Sequence, residues 1–129
     1  MPREESLYPA DWLWVADRDL RRVTDMLKAD DPGAAGLFLQ QAIEKFLKAF
    51  LLSRGWKLRR IHSLSALLDD AVIHDASLEE FRGACQEITA FYFVERYPFV
   101  VDAGPTKQEV RTSVNQVRGL IQRLREHTI

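Results

Sequence analysis

The 129-residue chain is predicted to be all-α, an up-and-down bundle of four to five helices forming one domain over residues 1–129, with its core from about 10 to 126. Three observations predict this. Apolar residues return at three- and four-residue steps in one segment after another. Helix-start signals stand ahead of those segments: Asp31-Pro32, Ser63, Ser77-Leu78-Glu79-Glu80 and Thr106-Lys107-Gln108-Glu109. Strand-type alternation is scarce, and no repeat or low-complexity stretch interrupts the pattern.

The first helix is expected from about Asp11 to Ala29, with Leu13, Ala16, Leu20, Val23 and Leu27 as its apolar stripe. Trp14 falls on the opposite, charged face and is expected to be covered by a neighbouring loop. Asp31 can cap the second helix, and Pro32 suits its first turn, where a missing N–H costs nothing. That helix runs to about Arg54 and ends at Gly55. Its polar residues Gln40, Gln41, Glu44, Lys45 and Lys48 share one narrow side, and the rest is apolar. Such a helix is central in a bundle or buries a second face in a dimer. A short third helix follows from Leu64 to about Val72, with Leu64, Leu67, Leu68 and Ala71 inward.

The fourth helix is expected to open with a capping box at Ser77-Leu78-Glu79-Glu80 and to bury Leu78, Phe81, Cys85, Ile88 and Tyr92. It ends near Arg96, because Pro98 disfavours helical geometry at Tyr97. A second capping box, Thr106 to Glu109, starts the last helix. There Val110, Val114, Val117, Ile121 and Leu124 make the apolar stripe, while Arg111, Arg118, Gln122 and Arg125 share another face.

Composition narrows the function classes. Apolar residues make up 47% of the chain, enough for one core, and the net charge is −1, so bulk charge does not attract a polyanion. A nucleic-acid site must therefore be a local patch. The single Cys85 excludes an intrachain disulfide framework and a multi-cysteine zinc site, and its helical setting reads as a packed thiol. The start, Met-Pro-Arg-Glu-Glu, lacks the order of a secretory signal, and no apolar run approaches a bilayer span of about 20 residues. A soluble cytoplasmic protein without metal or cofactor is expected.

Few enzymatic constellations are visible. There is no Gly-rich phosphate loop and no zinc-protease His pair; His62, His74 and His127 fall in separate elements. The connector after the second helix is more informative. Lys57, Arg59, Arg60 and His62 offer donors to phosphate, and Ser63 opens a helix whose free N–H groups add to an anion site. Arg96 projects near Cys85 and Tyr92, beside Tyr97, and so needs a partner: a phosphate, or an inward carboxylate such as Glu44.

Four segments in this order carry a resemblance. They are Trp12-Leu13 with Ala16, Gln40-Gln41-Ala42-Ile43-Glu44-Lys45, His62-Ser63-Leu64 and Arg96-Tyr97-Pro98. Together they resemble the prokaryotic HEPN domains over about residues 10–125. The resemblance implies a four-to-five-helix bundle, often dimeric and often paired with a separate minimal nucleotidyltransferase, sometimes as a toxin–antitoxin couple. Many such domains are metal-independent ribonucleases marked by an Arg followed after four to six residues by His. This sequence departs from that mark: Arg96 is followed by Tyr-Pro-Phe-Val-Val-Asp-Ala, and the next histidine is His127. Cleavage through a 2′-hydroxyl needs a group titrating near neutrality, which His supplies and Arg does not.

The resulting expectation is a non-catalytic domain that binds a nucleotide or RNA phosphate through Lys57, Arg59, Arg60, His62, Ser63, Arg96 and Tyr97. It would be a homodimer burying part of the second or fourth helix and would act with a nucleotidyltransferase. Two other readings stand beside it. One is a ribonuclease toxin in which His62 takes the place of the missing histidine; the other is a dimeric interaction module whose basic residues are incidental.

Overall fold

The computed structural model describes residues 6–96 and 104–128, with Glu95 and Arg96 described by backbone alone. Among the described residues there are five α-helices, one 3₁₀ helix and no strand: α1 (Pro9–Lys28), α2 (Pro32–Ser53), α3 (Leu64–His74), the 3₁₀ turn Ala76–Phe81, α4 (Arg82–Arg96) and α5 (Lys107–His127). The all-α bundle expected from the periodicity is what the chain forms.

Local chemistry sets the ends. Asp30 takes a left-handed φ of 61°, which turns the chain between α1 and α2. The Asp31 carboxylate then accepts from the Ala34 N–H at 3.1 Å, and Pro32 sits in the first turn. Ser63 caps α3 by accepting from the Ala66 N–H at 3.2 Å. At α5 the Thr106 hydroxyl accepts from the Glu109 N–H, and the Glu109 carboxylate accepts from the Thr106 N–H, both at 3.1 Å. That is the reciprocal box its sequence promises.

The box expected at Ser77 does not form. Asp75 takes the cap instead, accepting from both the Ser77 N–H at 3.0 Å and the Ser77 hydroxyl at 2.6 Å. With Ser77 so engaged, the chain makes a 3₁₀ turn, and α4 starts later, at Arg82. Glu80 pairs with Arg123 of α5.

Helix α2 is the hub: α1, α3, α4 and α5 all pack on it, α1 most extensively. Leu39, Ile43, Phe46, Leu47, Phe50 and Leu51 form the centre of the core. Leu64, Leu67, Leu68 and Ala71 of α3 are buried, as are Leu78, Phe81, Cys85 and Ile88. Tyr92 and Val114 are only half-buried. Close approach of α4 depends on Gly36, where an added methyl would lie 2.8 Å from the Phe91 Cβ.

Two expectations need correction. Ala16 and Val23 of the expected α1 stripe are buried and Leu13, Leu20 and Leu27 pack against the core half-buried, but Trp12 and Asp19, outside that stripe, are buried as well. Trp14 is not covered by a loop: it is 52% exposed, with the Arg18 guanidinium 5.5 Å from its ring centroid.

A cationic recess over a buried carboxylate

The polar side of α2 faces inward. Gln40, Glu44 and Lys48 recur at four-residue steps, so they stand in one row on the helix, and all three are buried. Glu44 is 4% exposed and Lys48 3%. Ions so deep require partners, because an unpaired charge there is costly. Lys48 Nζ donates to Glu44 Oε2 at 3.0 Å, and Lys45 Nζ lies 3.5 Å from the same oxygen. Gln40 Nε2 is 3.4 Å from Glu44 Oε1 and 3.3 Å from the His62 carbonyl, tying the connector to the helix. The Lys48 ammonium also lies 5.3 Å from the Trp12 ring centroid, which closes the row from the α1 side.

His62 completes the set. Its Nδ1 is 3.1 Å from Glu44 Oε2, while its side chain is 66% exposed. Burial pushes the Glu44 carboxyl up, but Lys45, Lys48 and the His62 hydrogen bond together outweigh it and hold Glu44 below the usual carboxylate value. An ionised carboxylate only accepts, so His62 Nδ1 is the donor in this contact. Asp19, 2% exposed on α1, shows the opposite balance. Burial raises its pKa, Lys45, Arg18 and Arg22 offset this only in part, and the nearby Glu44 charge adds to the rise. Lys45 thus acts on both buried carboxylates.

Above this row is a recess of about 30 Å³, roughly the space of one water molecule. It is lined by Trp12, Glu44, Lys45 and Lys48 from the helices and by Arg59, Arg60 and His62 from the connector. Four permanent cations thus meet one carboxylate. Arg59 is held in place: it donates to Asp70 Oδ2 at 2.8 Å, the Trp56 indole donates to the same oxygen at 3.0 Å, and the guanidinium lies 6.0 Å from the Trp56 ring centroid.

Of the residues expected at a phosphate site, Arg59, Arg60 and His62 share this recess. Ser63 stands next to it as the α3 cap, and Lys57 is exposed on the connector but does not line the recess. Arg96 ends α4, but its side chain and the whole of Tyr97 lie outside the described residues, as does the expected convergence of both on His62. Trp12, Lys45 and Lys48 were not foreseen as part of the site. For Lys48 the signal is the four-residue spacing of Gln40, Glu44 and Lys48 in an otherwise apolar helix; Trp12 on α1 has no such signal.

The sequence profile of the HEPN domain matches residues 9–127, the whole bundle. The chain belongs to the HEPN domain family. It is also similar to the protein TT1696 of Thermus thermophilus, known from a crystal structure, with 29% identity and a TM-score of 0.80 over 92% of this chain and 97% of that one. No curated protein matches it. Within this HEPN domain, no described helix is long and apolar enough to cross a membrane. Among the described residues no three His, Cys, Asp or Glu side chains gather to hold a metal ion. Cys85 is fully buried, and burial pushes its thiol up to about 11, so it is a core residue rather than a nucleophile.

Proposed function

We propose that this HEPN domain binds the phosphate of a nucleotide or RNA at the mouth of the recess without cleaving it, as a homodimer working with a minimal nucleotidyltransferase. The cationic surplus around Glu44 supports the binding role. Glu44 is shared by Lys45 and Lys48, and it is the one carboxylate lining a recess that four cations also line. The cavity is too small for a nucleotide and suits a single phosphate oxygen, with the remainder of the ligand lying on the exposed connector. Arg60 and Lys45 are the donors assigned to the phosphate; Lys57, His62, Ser63, Arg96 and Tyr97 flank it, and Arg59 is positioned by Asp70.

A hydrogen bond to a charged group contributes about 1.5–3 kcal/mol, so losing one arginine should weaken binding about tenfold or more. The test is titration of labelled mononucleotides and short single-stranded RNA against the wild type, Arg60→Ala and Arg96→Ala. Weaker binding at unchanged thermal stability is expected. Unchanged affinity in both variants would remove the site.

One observation favours the ribonuclease alternative. A buried carboxylate orients His62 through Nδ1 while its side chain stays largely exposed, which is how a general base is held in other enzymes. Single-turnover cleavage of labelled RNA with chelator present separates the readings. No cleavage by the wild type is expected; metal-independent cleavage abolished by His62→Ala would establish the enzyme.

A further inference from the structure

A second feature shares no residue with the cationic recess. Helices α1 and α5 both pack on α2 but hardly on each other, which leaves a groove of about 890 Å³ between them. Its floor is aliphatic: Leu20, Val23 and Leu27 from α1, Val114 and Ile121 from α5. Its charged rim is mostly basic, with Lys28 on α1 and Arg111, Arg118 and Arg125 on α5 against the single carboxylate of Glu126. Among the described residues none of Lys28, Arg111 and Arg118 has a carboxylate within 4.0 Å; Arg118 donates instead to the neutral Asn115 amide oxygen at 3.0 Å. Arg125 differs. It is clasped by Asp17 at 2.6 and 3.0 Å and ties α5 to α1 where the groove ends.

We infer that this groove seats an acidic amphipathic helix from a partner protein. Three arguments converge on that occupant. A second copy docked groove to groove would set the same cationic rim against itself, since a two-fold contact presents one patch to its duplicate. Nucleic acid would answer the charge but not the floor, which offers aliphatic side chains and no ring on which a base could stack. A helix with apolar residues at three- and four-residue steps fills an aliphatic groove between two helices, and acidic residues on its flanks answer the rim. The length also fits: the groove-facing residues of α5 run from Arg111 to Glu126, about 22 Å of helix at 1.5 Å per residue. Some four turns of a partner helix would be held along it.

The test uses a display library of random 16-residue peptides, selected on the full chain and counter-selected on the Arg111→Glu/Arg118→Glu variant. Both substituted side chains are exposed, and circular dichroism with a thermal melt checks that the variant keeps its fold. Enriched peptides are expected to carry apolar residues at i, i+3/4 and i+7 flanked by Asp and Glu. They should bind the wild type at least tenfold more tightly than the variant, and more weakly as salt rises. Enrichment of basic or non-periodic peptides, or equal binding to both proteins, would overturn the inference. So would displacement of a selected peptide by single-stranded RNA, or a wild-type dimer that the double substitution converts to monomer.

Discussion

At Glu44 a single proton decides whether the buried contacts with Lys45, Lys48 and His62 are paired or broken. With its folded pKa held below the unfolded value of 4.5, the carboxylate stabilises the fold above that value, and the contribution is lost as pH falls through the folded pKa. Glu44→Gln leaves Lys48 charged and buried without its counter-ion. It should cost about 3 kcal/mol at neutral pH, as expected when one partner of a buried pair is removed. The gap to wild type should close in acid, measured by urea melts from pH 7 to pH 3. Asp19 has the opposite sign. Its folded pKa lies above the unfolded 3.8, so its ionisation works against the fold once pH rises through the folded value. Asp19→Asn should therefore stabilise the protein at pH 7 and make no difference well below pH 3.8. A destabilised Asp19→Asn at neutral pH would show that its contacts with Arg18 and Arg22 outweigh the burial penalty. These two residues also mark where sequence reading stops. A charge in an amphipathic pattern is assigned to solvent, and only the fold shows that Asp19 and Glu44 face each other's helix.

The helices themselves were legible where one local signal had no rival. Thr106 and Glu109 form their box because nothing nearby competes for either group. Ser77 had the same motif, but Asp75 two residues earlier is the stronger acceptor and takes both of its hydrogens. Glycines separate helix propensity from packing. Gly36→Ala would gain about 1 kcal/mol of helix propensity, yet its methyl would lie 2.8 Å from a Cβ that cannot rotate away. Overpacking of that kind costs about 1–3 kcal/mol, so a net loss is expected. Gly83 has nothing within 4 Å of an added methyl, and Gly83→Ala in α4 should gain up to about 1 kcal/mol. Thermal melts of the two variants should move in opposite directions; a stabilised Gly36→Ala would mean that α4 can shift away from α2 at little cost.

For the whole molecule, the breadth of apolar surface on α2 was legible and its use was not. Periodicity left open a central helix or a dimer face; in the bundle α2 is enclosed by its own chain, with even its polar row buried. The proposed homodimer is accordingly assigned to α4, the other helix expected to carry it, where Phe93 is half-exposed. Sedimentation equilibrium at micromolar concentration should show a dimer that Phe93→Asp dissociates. A wild-type monomer would refute this. The recess was half legible for a related reason. The connector bases Arg59, Arg60 and His62 cluster along the chain, whereas Trp12, Lys45 and Lys48 come together only when α1 lies on α2.

A helix that touches every other helix cannot come loose alone. Opening α2 separates α1, α3, α4 and α5 from their shared packing partner at once. Its amides from Leu39 to Leu51 should therefore exchange with deuterium only when the entire chain unfolds, and report the global stability. The histidine on the connector leans on this same helix through Glu44 and Gln40. The connector is thereby anchored to the slowest-opening part of the molecule, and the His62 contacts with α2 should persist through every motion short of complete unfolding.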